Sequence, residues 1–200
     1  MNKLLLGTAL AVVTAAVPAA APAQRAPAAV VVVVDSDRIY RDCTACRAAQ
    51  TQIQSQITAL QQRAQALGQP IQTEAQSIQQ AAQAARNQQG AARTAAEAAL
   101  QQRATALQTR QNTANQEIGR LEQNIQSTRA NVVQQINTRL NPIINQVMTA
   151  RGANLAVDVN ATMARSQALD VTAEVLAALN QQLPSVSVTP LPQGQQPQGR

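Results

Sequence analysis

The chain has no histidine, tryptophan or phenylalanine, and a single tyrosine, Tyr40, in 200 residues. Without histidine the usual general base is missing, and its Ser, Asp and Glu residues form no nucleophile–base constellation. There is no Gly-rich phosphate loop. These absences point away from an enzyme and from any cofactor. Lack of aromatic rings removes the stacking platforms that grip single-stranded nucleic acid, so nucleic acid is not an expected partner. It also thins the core: Ala, Val, Ile and Leu must do the packing, at ~25 cal/mol per Å² of buried apolar surface. Oligomerisation is the usual remedy for so thin a core.

The first residues carry a positive charge at Lys3, an apolar run over residues 4–17 and a small-residue cleavage pattern at Ala21-Pro22-Ala23. The run is shorter than the ~20 residues needed to span a bilayer. It reads as a secretory signal peptide over residues 1–23, which would place the mature chain outside the cytoplasm. After its removal 15 Arg face 10 Asp and Glu, with no Lys.

Residues 47–150 are built almost wholly from Ala, Gln, Leu, Ile and Arg. From Ile53 the apolar positions step by 4,3,4,3 through Ile57, Leu60, Ala64 and Leu67. One stutter at Ile71, beside Gly68 and Pro70, precedes Ala75, Ile78, Ala82 and Ala85. A stutter unwinds a coiled coil locally and proline removes a helix hydrogen bond, so a kink or swivel is expected there. Asn87-Gln88-Gln89-Gly90 is the expected turn. The seam resumes at Leu100 and runs through Ile118, Leu121, Ile125, Ile136 and Val147. Two helices of roughly 45 residues then make an antiparallel hairpin about 65 Å long. Ile118, Leu121 and Ile125 are read as packing within the arm, with a binding surface for a partner as the alternative. A break at Gly68-Gln69-Pro70 giving a three-helix bundle is the alternative.

Short apolar segments flank this arm: five valines at residues 30–34, then Asp35-Ser36-Asp37 with helix N-cap chemistry, and residues 155–159, which alternate like a strand. A further short strand at 162–165 is expected, then a helix to Leu183 with capping oxygens from Asp170 and Thr172 and Glu174 in its first turn. The fold class is therefore mostly α with a small β-body. That body is discontinuous (24–46 and 151–183), and the arm (47–150) is inserted between its strands. Residues 184–200, rich in Pro, Gln and Gly, read as a disordered tail.

Cys43-Thr44-Ala45-Cys46 admits several readings. Export permits a local or intersubunit disulfide, and the thiols can instead be unpaired. A redox pair lacks its βαβ setting, and closed zinc coordination lacks ligands. Ten Arg against four Glu lie between Arg47 and Arg151. Arg86, Arg93 and Arg103, nearest the turn, form a candidate basic tip for acidic unfolded segments or an anionic membrane surface; a solvated helix face is the bland alternative.

The valine run with Asp35 and Arg38-Ile39 resembles the first strand and helix of the Skp/OmpH family of periplasmic chaperones. The stronger likeness lies in Asn154-Leu155-Ala156-Val157-Asp158-Val159-Asn160 and Asp170-Val171-Thr172-Ala173-Glu174-Val175-Leu176. These are similar to that family's closing strand with its turn and to the start of its last helix. The resemblance implies a homotrimer whose strands (Val31, Val33, Leu155, Val157 and Val159 here) form a shared body. Three arms would hang from it around a cavity that receives unfolded outer-membrane proteins. This arm carries Gln and Ala where the family carries more charge. An ATP-independent holdase is the expected function; a structural or adaptor hairpin of the cell envelope is the alternative, and a thiol oxidoreductase using Cys43 and Cys46 the remotest.

Overall fold

The computed structural model describes residues 28–192; the signal-peptide reading and the last eight residues lie outside them. The elements are β1 (Val31–Val34), α1 (Ser36–Asp42), α2 (Thr44–Arg86), α3 (Gly90–Ala150), β2 (Leu155–Asp158) and α4 (Thr172–Gln182), with 3₁₀ turns at Val159–Ala161 and Gln167–Leu169. β1 and β2 pair in parallel, Val31 opposite Leu155 and Val34 opposite Asp158. Parallel strands need a crossover, and here the whole arm is that crossover. Asp170 bridges to Val33 on the other edge of β1, so β1 lies inside the body and is the more deeply buried strand.

The motifs at the two ends of the arm close the body through one polar cluster. Asp35 Oδ1 accepts from Arg38 N at 2.8 Å, capping α1, while Asp35 N donates to Thr172 Oγ1 at 2.9 Å. Asp158 accepts from Ser36 N and Asn160 N, and Asn160 Nδ2 reaches Asp37 at 3.0 Å. The Thr172 hydroxyl is thus committed to Asp35 and makes no side-chain cap on α4, whereas Asp170 Oδ1 does accept from Thr172 N. Beneath this cluster Ile39, Val175, Leu179, Ile136, Ile143 and Leu140 form the apolar core. The lower third of α3 is therefore body rather than arm.

Several sequence expectations change. The first arm helix begins at Thr44, because Cys43 adopts an extended N-cap conformation and its sulfur accepts from Cys46 N. α2 runs unbroken through Gly68 and Pro70, which rules out the three-helix bundle. The second helix has 61 residues against 43 for the first, since it continues past the arm into the core. The closing strand stops at Asp158, whose carboxylate caps the next 3₁₀ turn, so Val159 leaves the sheet. Residues 162–165 form no strand: the second edge of β1 already receives Asp170 and the Val171 amide. Residues 184–192 are not a free tail; they return along the arm, with Leu191 buried there.

Candidate functional site

A two-helix hairpin covers each seam side chain from one side only. Accordingly Ile53, Ile57, Leu60, Leu67 and Ile71 on α2, and Ile118 and Leu121 on α3, remain half-buried along the arm. Among the larger seam side chains burial becomes complete only near the body, as at Ile136 and Leu140. Open grooves follow the seam. One of about 480 Å³ is lined by Leu60, Leu121, Ile125 and Pro190. A second of about 540 Å³ lies farther out, between Leu67, Ile71 and Ile118. Ile118, Leu121 and Ile125 thus pack between the helices and still line grooves open to solvent.

Ion pairs join the two helices of the outer arm beside the apolar seam. Arg63 Nε meets Glu117 Oε1 at 2.7 Å and its Nη2 meets Oε2 at 3.1 Å, a two-point clasp from α2 to α3. Arg103 on α3 reaches back to Glu74 at 2.9 Å and to the Ser77 hydroxyl at 2.8 Å on α2. Arg93 pairs within its own helix with Glu97 at 2.8 Å. Among the described residues Arg86, in the last turn of α2, has no acidic partner. The three arginines proposed for a basic tip are therefore separated in role: Arg103 is a hairpin clasp, set about 20 Å back from the turn along α3. Arg93 is paired with Glu97, and Arg86 is the exposed cation at the bend. Gly90 supplies the positive φ of 61° that the turn demands.

These contacts set the charge states. Hydrogen bonding to Arg103 and Arg63 holds the Glu74 and Glu117 carboxyls below their ordinary values. At the body, Ser36 and Asn160 do the same for Asp158, Thr172 with Arg165 for Asp170, and Arg151 for Glu174. A carboxyl whose pKa falls on folding contributes stability above its unfolded value, and that contribution is lost as pH drops through the folded value. We expect the thermal midpoint to hold from pH 7 to about 5 and to fall below pH 4.5, the ordinary glutamate value. Circular dichroism melts between pH 7 and 3 check this. The Glu74→Gln/Glu117→Gln variant should start lower and fall less; an equal fall would remove the clasps as its source.

Cys43 and Cys46 are bonded as a disulfide, with Cα atoms 5.1 Å apart, and both are buried where α1 gives way to α2. Thr44 N, between them, donates to Asn180 Oδ1 of α4 at 2.8 Å. Tyr40 hydrogen-bonds Asn137 of α3, and partial burial pushes its phenol above the ordinary value. The pair thus stands at the root of the arm, where α1, α2 and α4 meet. Of the strand residues, Val33 is buried, Val31, Val157 and Val159 are half-buried, and Leu155 is 46% exposed beside Val30 at 48%.

Sequence reasoning missed the amide and hydroxyl side chains that hold residues 187–191 against the arm. Their signal was present in the alternation Val186-Ser187-Val188-Thr189, but the proline-rich composition around it obscured the pattern. Among the described residues no helix is long and apolar enough to cross a membrane.

Comparison with known proteins adds the lineage. No curated protein matches the chain. Among solved structures it is similar to a Caulobacter crescentus CB15 protein described as an OmpH-like outer membrane chaperone. The two share 20% identity and a TM-score of 0.67, over 89% of this chain and 99% of that one, which shows a common fold. The family model for outer membrane protein (OmpH-like) matches residues 30–179, from the first strand through the arm to α4. By that match the chain belongs to the OmpH-like outer membrane protein family.

Proposed function

We propose that this protein is an ATP-independent periplasmic holdase that keeps unfolded outer-membrane proteins from aggregating, working as a homotrimer whose arms surround the client. The observation that carries this reading is the half-buried seam. A single hairpin leaves an apolar stripe and open grooves along most of its length, and a chain with no aromatic anchors can hold a partner only through many weak contacts. Several arms raise the effective concentration of such contacts, so the grip is multivalent rather than pocket-based.

The trimer is supported by the thin body and by the outer edge of β2. There Leu155 and Val30 expose apolar surface beside a strand edge unpaired among the described residues, and such an edge favours pairing with another chain. Arg86, repeated on three arm ends, would bring a few cations to an anionic headgroup surface at about 1 kcal/mol each.

The test is dilution of a urea-unfolded β-barrel outer-membrane protein into buffer containing the purified mature chain, with turbidity and light-scattering mass recorded together. Expected are a mass near three chains and a soluble client at near-stoichiometric ratio. Aggregation at the rate seen without the chain sinks the holdase reading, and a monomeric mass sinks the trimer.

A further inference from the structure

Residues 186–191 lie along the arm without regular secondary structure, and the way they are held is informative. Gln135 takes Ser187 at both main-chain atoms, its Oε1 accepting from Ser187 N at 2.9 Å and its Nε2 donating to Ser187 O at 3.0 Å. Gln56 Nε2 donates to Val188 O at 3.1 Å and Asn131 Nδ2 to Thr189 O at 2.9 Å. Ser127 Oγ accepts from Leu191 N at 2.9 Å. Every one of these arm side chains contacts the main chain of the segment. The hydroxyls of Ser187 and Thr189 bond only each other, 2.8 Å apart.

Side-chain chemistry enters only as alternation. Val186 and Val188 turn inward against the core cluster while Ser187 and Thr189 face solvent; this alternation ends at Pro190, after which Leu191 is buried. Beyond it the 480 Å³ groove lined by Leu60, Leu121 and Ile125 continues the track between the helices and begins at Pro190.

We infer that Gln56, Ser127, Asn131 and Gln135, with the apolar groove beside them, form a binding site for extended polypeptide of alternating apolar and polar residues. The chain's own residues 186–191 occupy that site as an internal stand-in. Amides that read main-chain atoms accept any sequence, and the groove selects only the period of two. A strand destined for one wall of a β-barrel has that period, with one face apolar and the next polar. Such a segment of an unfolded client displaces the strap, takes the same hydrogen bonds and extends along the groove between the helices. The site rests on the holdase reading only for the identity of this occupant.

The experiment uses the full mature chain and a fluorescent peptide with the sequence of residues 185–192, beside an isomer in which the valines and serines are grouped instead of alternating. In the unaltered chain the tethered strap competes at high effective concentration, so peptide binding is weak. Val188→Asp with Leu191→Asp releases the strap, and the alternating peptide then binds at least about tenfold more tightly. Adding Gln135→Ala and Asn131→Ala cancels the gain, and the grouped isomer gains nothing comparable. If the aspartates lower the helicity, Val188→Ser with Leu191→Ser repeats the measurement. Equal affinity before and after release overturns the site, as does equal binding of the two peptides. A parallel client-holding assay separates the two readings. Holding unaffected by strap release and by Gln135→Ala overturns the assignment of the occupant and leaves the holdase standing. An unaltered chain that holds no client, with the peptide gain intact, does the reverse.

Discussion

Replacing Gly68 and Pro70 together with alanine is expected to stabilise the arm by about 3–4 kcal/mol, most of it from the proline. Pro70 has no N–H to offer the Ala66 carbonyl, and its ring presses on that carbonyl, yet α2 continues through it. Gly68 adds backbone entropy to the cost, and a Cβ placed there meets nothing within 4 Å. Both residues sit at the stutter of the seam, where Ile71 is only half-buried, so packing compensates little. Guanidinium unfolding followed by helical circular dichroism measures the gain. A midpoint unchanged from the parent would mean the arm carries no weakness at this point. A gain accompanied by loss of client holding would show that the weakness is used.

The second large effect lies in the body. Leu179→Ala should destabilise the fold by about 2–5 kcal/mol, a substantial fraction of the stability of a small domain. Leu179 is fully buried, in a core whose other large, fully buried apolar side chains are Ile39, Ile136, Ile143, Val33 and Val175. The side chains packed around it relax only partially into the space that the substitution leaves. Leu176, one turn earlier and only partly buried against the same cluster, serves as the control; its replacement by alanine should cost clearly less. Urea midpoints of the two variants decide, and equal losses would contradict the burial pattern. Because α4 also supplies Asn180 to the root of α2, the Leu179 variant should loosen the arm's mount as well.

Much of this was legible in the chain. The 3.6-residue period is local, so the steps from Ile53 to Ala85 and from Leu100 to Val147 announced two helices, and Asn87 to Gly90 announced the bend. A cap within Asp35-Ser36-Asp37 was legible for the same reason, since capping is decided within three residues, and the structure gives that place to Asp35. Gly68 and Pro70 gave a warning that the helix overrode: a long propagating helix loses one hydrogen bond at proline and still retains those on either side.

What tertiary structure alone decided concerns uncharged or paired side chains far apart in sequence. Arg103 looked like a tip cation until Glu74, 29 residues away, was found beside it, because which arginine meets which glutamate depends on the hairpin register. Val159 and residues 162–165 looked extended, but Asp170 took the second edge of β1. The strap looked disordered because its composition is poor in apolar residues; it is held instead by Gln56, Ser127, Asn131 and Gln135, between 52 and 132 residues away. Amide side chains carry neither charge nor hydropathy to mark their partners in advance. The sequence by itself determined a long helical hairpin mounted between short strands. Its clasps and the strap along its root follow from which faces the folded backbone brings within hydrogen-bond reach.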